Sequence, residues 1–301
     1  MGFTINTNTA SNNAYRNLTL NQNEQSKSLE KLSSGLRINR AADDAAGLAI
    51  SEGLKNQVSG MTQAARNAQD GISVIQTAEG ALTEVHSILN RMRDLAVQGG
   101  NDSNNEESRE AIKTEADELG KELNRIVSGT NFNGIQLLNG QAIPGDDATN
   151  GSSKISIQVG AGGGTSDTIE VDLGNVTTSL MTTPAAGGTA ASFADATDGA
   201  AAFNVATSAE ASQTIKDLDA AIGAISSQRS ELGASQNRLE STIKSLNVSI
   251  ENLSSAGSRI RDTDMASEMA NFTRSQILSQ AGTAMLSQAN QMNSGVMQLL
   301  Q

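Results

Sequence analysis

Leu54, Met61, Ala68, Ile75, Leu82, Leu89 and Ala96 recur every seven residues. In the last third of the chain Leu218, Ile225, Leu232, Leu239, Leu246, Leu253 and Ile260 do the same. An apolar row at that interval marks a long helix that buries a narrow seam against other helices. Two such rows describe rods packed side by side, which directs the search for function towards assembly and away from catalysis. The expected fold class is mainly α: a long antiparallel helical bundle or coiled coil of N- and C-terminal arms, with a small β-containing central insert.

Composition supports a thin bundle. The 301 residues allow more than one domain, but they include five Phe, one Tyr and no Trp. Aromatic side chains usually carry much of a thick core, so Ala, Leu, Ile and Val must fill this one. A net charge of −12 disfavours nucleic acid, which needs clustered Lys and Arg. No apolar run approaches the ~18 residues of a spanning helix, so membrane insertion is not expected. The absence of cysteine removes disulfides, thiolate metal sites and cysteine nucleophiles together. His86 is the single histidine, and a paired-histidine zinc helix needs two. It follows Val85 of the seam and reads as a surface or interface residue. Neither an enzyme nor a cofactor is expected. Residues 1–7 lack the basic and apolar stretches of a signal peptide, so export would use another route.

Both prolines, Pro144 and Pro184, fall in the middle third, leaving the arms without the strongest helix breaker. A first helix is expected over about 11–32, stopped by Gly35. Asp43 or Asp44 can cap the next, which should run to about Gln98 and reach roughly 80 Å. Its apolar steps alternate four and three except at 72, 75 and 78. That stammer lies between Gly71 and Gly80, where the seam should change partner. A third helix should start at Asn104 or Asn105 and present Ile112, Ala116, Leu119, Leu123 and Ile126.

Asn133-Gly134 and Asn139-Gly140 bracket Ile135–Leu138, the pattern of a short hairpin. Ile155, Ile157 and Val159 alternate with polar residues, as do Ile169, Val171 and Leu173, giving a second hairpin around a glycine-rich loop. Residues 182–207 have no period, and 141–207 reads as a surface module of low structural demand. The last long helix should span about 210–255. Arg229 and Gln236 interrupt its second apolar row. Arg229 either fixes register or lays its stem on the seam with its head in water. Ser254-Ser255-Ala256-Gly257-Ser258-Arg259-Ile260-Arg261 before Asp262 and Asp264 echoes Ser33-Ser34-Gly35-Leu36-Arg37-Ile38-Asn39-Arg40 before Asp43 and Asp44. Two matched breaks should bend both arms at one level. Leu278, Met285, Met292 and Leu299 form a further seven-residue row.

These breaks also carry a resemblance. Ser33–Asn39 with Ala41-Ala42-Asp43-Asp44-Ala45-Ala46-Gly47-Leu48-Ala49-Ile50 resembles the N-terminal signature of bacterial flagellin almost letter for letter. Thr130-Asn131-Phe132-Asn133-Gly134 and Asp262-Thr263-Asp264-Met265-Ala266 are similar to further family motifs. The likeness covers about 1–140 and 208–301.

The resemblance implies a secreted, extracellular subunit of the flagellar filament that serves motility and polymerises with itself. It implies an inner terminal domain (1–43 plus 257–301), a long-helix bundle with a short hairpin (44–140 plus 208–256) and an outer variable insert (141–207). It further implies export of an unfolded chain through the flagellar export apparatus, aided by a C-terminal export chaperone, and growth at the tip beside cap and junction proteins. The apolar faces of 11–32 and 265–300 have little else in the chain to cover them. Leu18, Leu29, Leu32, Leu278, Met285, Met292 and Leu299 are therefore the expected polymerisation seams. Gly35, Arg37, Arg40, Asp43, Gly257, Arg259 and Asp262 are the expected hinges. Arg91, Leu95 and Glu115 match positions that contact a vertebrate Toll-like flagellin receptor, although position 90 is Asn where several members carry Gln. Arg91 and Leu95, four apart, should share a helix face.

A filament–hook junction protein with similar termini is the alternative in the same class. A pore-forming translocator would need a long apolar run, and an enzyme would need a catalytic constellation. Asp146, Asp147, Asp167 and Asp172 lack the spacing of a calcium loop.

Overall fold

The computed structural model describes residues 8–140, 154–180, 193 and 203–298, with side chains up to Gln291. Its elements are α1 (Thr9–Ser34), α2 (Ala45–Gly99), α3 (Glu106–Gly129), β1 (Asn131–Phe132) and β2 (Ile135–Gln136). There follow β3 (Lys154–Gln158), β4 (Thr168–Asp172), α4 (Val176–Ser179), α5 (Ser208–Arg261) and α6 (Met265–Gln298). They form two compact units, Met1–Val58 with Ile250–Gln301, and Ser59–Ser249.

In the first unit α1 begins at Asn8, whose side chain accepts the Ser11 N–H at 3.0 Å. It ends at Gly35, which takes φ 72° and donates its N–H to the Lys31 carbonyl. Glycine adopts that left-handed conformation without steric cost, which is why the helix stops there. Asp44 accepts the Gly47 N–H at 2.9 Å and so opens α2. α1 and α6 pack antiparallel. The Asn8 side-chain amide donates to the Ala289 carbonyl at 3.0 Å, and Leu18 lies against Gly282.

The expected break at Ser254–Gly257 does not occur. α5 continues through Gly257 and Arg259 to Arg261, so neither residue is at a hinge. Serines and one glycine lower helix propensity by about 1 kcal/mol or less each. Contacts further along outweigh that cost: Arg261 pairs with Glu52 at 2.8 Å, and the Ile260 and Arg261 carbonyls accept from Arg37. The chain turns at Asp262–Asp264 instead.

In the second unit α2, α3 and α5 supply a continuous core. Ala68, Ile75, Leu82, Leu89 and Ala96 of one seven-residue row are fully buried, as are Leu218, Ile225, Leu232 and Leu239 of the other. β1 and β2 are joined by Asn133 and Gly134, both at positive φ, as a tight two-residue hairpin requires. The second pair, Asn139-Gly140, is not a hairpin turn; Asn139 bridges to Asn175.

β3 and β4 pair antiparallel from Lys154↔Asp172 to Gln158↔Thr168. This hairpin seats on α2 at Gly71, where a β-carbon would come within 2.3 Å of Ile157. Gly80, by contrast, faces open space. The seam of α5 buries two polar residues, Thr214, which donates to the Asn204 carbonyl at 2.8 Å, and Gln228, whose amide donates to the Leu173 carbonyl. Arg229, next to Gln228, is half-buried and reaches Glu79 at 3.7 Å.

The insert is not merely an outer module. Leu173, Val176, Leu180, Phe193, Phe203 and Val205 are all buried in the core of this unit. The Phe193 carbonyl stands so close to α3 that a β-carbon on Gly120 would meet it at 2.7 Å. Phe193 and Phe203 of the insert are the buried aromatics of this core, with Phe132 partly buried beside it, and their bulk helps to close this part of the bundle.

Candidate assembly surfaces

The residues of α1 turned inward on α6 are Ser11, Ala14, Leu18, Asn21, Gln25, Ser28 and Leu32. From α6 they are Phe272, Ser275, Ser279, Gly282, Leu286 and Ala289. Both sets step by three and four, as a coiled-coil seam does, yet most members are small or polar. Leu18, Ser28 and Ser275 are its buried members. Small side chains let the helices approach closely but bury little apolar area.

The large apolar residues sit beside this seam. Tyr15 is 64% exposed and Leu29 57%; each follows an inward residue, Ala14 or Ser28. Leu278 is 45% exposed and Met285 66%; each precedes an inward residue, Ser279 or Leu286. The Leu278–Met285 row read from the sequence therefore flanks the contact with α1 and leaves its surface open. Leu18 is different: it is used within the chain, and Leu32 is half-buried. The Met292 side chain and Leu299 lie outside the described residues. Isolated exposed apolar side chains need no explanation, but several of them flanking one seam on two paired helices are candidates for an interaction surface.

The two breaks clasp each other. Leu36 and Asp262 form an antiparallel bridge, Arg37 donates its N–H to the Arg261 carbonyl at 2.6 Å, and Thr263 returns one to Gly35 at 3.0 Å. The Arg37 guanidinium adds a bond to the Ile260 carbonyl at 2.7 Å. Asp43 accepts the Asn39 and Arg40 N–H groups at 3.2 and 3.0 Å. Those bonds, Arg40 first, hold its carboxyl below the ordinary aspartate range. Arg40 pairs with Glu30 at 2.8 Å. Sequence reading passed over Ile38, which is 1% exposed and packs where Gly47 leaves room. Its place between Arg37 and Asn39 hides it from any periodic pattern.

On the second unit, Arg91 and Glu115 meet in a surface ion pair at 2.5 Å. Leu95 does not join them: it is 1% exposed and belongs to the core. Four residues place two side chains on neighbouring turns, but here the edge of the buried face runs between them. Arg93 pairs with Asp219 at 2.6 Å, a hydrogen bond that holds its guanidinium pKa above the usual value. Arg109 was also missed. It binds the Asp102 carboxylate at 3.2 Å and the Ala206 carbonyl, joining the start of α3 to the chain entering α5.

Among the described residues no cluster of His, Cys, Asp or Glu is arranged to hold a metal, and no helix is long and apolar enough to cross a membrane.

Comparison with known proteins follows the same lines. The profile of the bacterial flagellin N-terminal helical region matches residues 5–142, and that of the C-terminal helical region matches 215–300. A flagellin of Halalkalibacterium halodurans is 49% identical over 296 residues, 98% of this chain and 99% of that protein. A flagellin of Bacillus subtilis is 46% identical over 304 residues, with 98% and 99% covered. A putative flagellar hook-associated protein from Vibrio parahaemolyticus has a similar fold, with TM-score 0.58 and 16% identity over 73% of this chain and 100% of that one.

Proposed function

The chain belongs to the bacterial flagellin family, whose members self-assemble into the extracellular filament of the flagellum, and we propose that its terminal helices become stably ordered only as neighbouring subunits cover them. One observation carries the proposal. Tyr15, Leu29, Leu278 and Met285 stay exposed along a pair of helices whose mutual seam is small and polar. Helices in water draw most of their stability from tertiary burial. The pair therefore lacks, within one chain, the cover that its apolar columns would gain from a neighbour. Repetition of a contact that does not close on itself grows a helical fibre.

In this reading Leu29, Leu278, Met285, Met292 and Leu299 meet neighbouring copies, and Leu18 and Leu32 hold α1 to α6. Gly35, Arg37, Arg40, Asp43 and Asp262 set the turn that aims the pair. Residues 1–43 with 257–301 form the inner layer, 44–140 with 208–256 the surrounding layer, and 141–207 the outer insert. The weak internal seam suits export of an unfolded chain by the flagellar apparatus with its chaperone, and ordering at the tip beneath the cap. A Toll-like receptor would meet Arg91 and Glu115, with Leu95 supporting them from below. The flagellin relatives, matched over nearly the whole chain, favour a filament subunit over a junction protein.

The test is truncation. Chains lacking 1–32 or 265–301 should remain helical and sediment as monomers under conditions that polymerise the full chain. Long polymers from either truncation would overturn the proposal, and short caps in place of long filaments from the full chain would favour the junction protein.

A further inference from the structure

Three methionines of α6 are open to solvent: Met265 at 47%, Met269 at 50% and Met285 at 66% exposure. Met92, in the core of the other unit, is 1% exposed. The thioether is polarizable and readily oxidised, and its susceptibility follows exposure. With no cysteine in the chain, methionine sulfur is the softest nucleophile present.

We propose that Met265, Met269 and Met285 are an oxidation site for peroxides, and that their oxidation blocks assembly of the free subunit. In the reaction the sulfur attacks one peroxide oxygen, the O–O bond breaks, and two electrons pass from sulfur to peroxide. The sulfur keeps one oxygen as a sulfoxide, and with hydrogen peroxide the other oxygen leaves as water. Each sulfoxide turns an apolar side chain into a polar acceptor: Met285 in the row that neighbours are proposed to cover, Met265 and Met269 elsewhere on the exposed side of the same helix. Once covered, the same residues are shielded, so the subunit is sensitive before incorporation and resistant after it. The assembly consequence rests on the proposed covering of α6; the order of oxidation does not.

Monomer and filament are treated with dilute hydrogen peroxide and digested, and the 16-Da gain at each methionine is followed by mass spectrometry. In the monomer Met265, Met269 and Met285 should oxidise at least about tenfold faster than Met92. In the filament their rates should fall towards that of Met92. Oxidised monomer should fail to polymerise, and a Met265→Leu, Met269→Leu, Met285→Leu, Met292→Leu, Met297→Leu chain, which has no methionine left in α6, should polymerise with or without peroxide. Equal rates at all four methionines, or loss of assembly in the Leu chain on peroxide treatment, would overturn the proposal. A Met265→Gln, Met269→Gln, Met285→Gln chain that polymerises normally would instead sink the covering of α6, leaving the oxidation order to be judged by itself.

Discussion

Replacing Leu278 and Met285 with Gln should impair assembly without harming the subunit. Full burial of a Leu or Met side chain contributes about 2 kcal/mol. Leu278 is 45% exposed and Met285 66%, so a neighbour that covers them adds about 1 kcal/mol for the first and a little more for the second. The double substitution forfeits about 2 kcal/mol per incorporated subunit, or roughly a 30-fold rise in the critical concentration for polymerisation. Gln matches Leu and Met closely in helix propensity, and neither position is buried in the single chain, so monomer helicity and melting should stay near wild type. The assay is sedimentation of filament against free subunit over a dilution series, with circular dichroism of the monomer alongside. A double variant with wild-type helicity and unchanged critical concentration would refute the reasoning.

Other expectations concern the interior and the turn. Gly120→Ala drives a methyl against the Phe193 carbonyl and should destabilise the second unit by about 1–3 kcal/mol, seen as a lower melting temperature. Leu95→Ala should cost about 2–5 kcal/mol by opening a cavity, so any loss of receptor signalling must be read against its melting curve. Arg91→Ala should leave melting almost unchanged, since an exposed ion pair contributes little; an unaltered cell reporter response would remove the receptor reading of that residue. The Asp43 carboxyl is held below its unfolded value, so its contribution is present above about pH 4 and fades as pH falls through the lower folded value. Asp43→Asn should abolish that acid-side titration at the Asn39 and Arg40 amide resonances; its persistence in the variant would assign it to another group.

The sequence was most legible where periodicity and turn chemistry coincide. The rows through Leu82 and Leu232 occupy the core, Gly35 and Asp44 delimit α1 and α2, and Asn133-Gly134 makes the tight turn. It was least legible where contacts remote in sequence decide the outcome. Serines and Gly257 suggested a helix end, but Arg37 and Glu52 hold the last turn of α5 in place. The 278/285 row stood out by its spacing, but no pattern announced that α1 would meet the column of smaller residues beside it, which allows the closer approach. Nothing periodic announces that Phe193 and Phe203 return to the core, or that Arg109 ties two segments together. The burial of Leu95 was hidden for the same reason: spacing gives neighbouring turns of a helix, and only packing says which are covered.

The central claim is that α1 and α6 are held chiefly by sister subunits. Amide hydrogen exchange, followed residue by residue in dilute monomer and in filament, addresses it directly. The account predicts rapid exchange through both helices in the monomer, strong protection in the filament, and slow exchange around Leu82 and Leu232 in either state. Monomer in which α1 and α6 are protected as well as that core would contradict it.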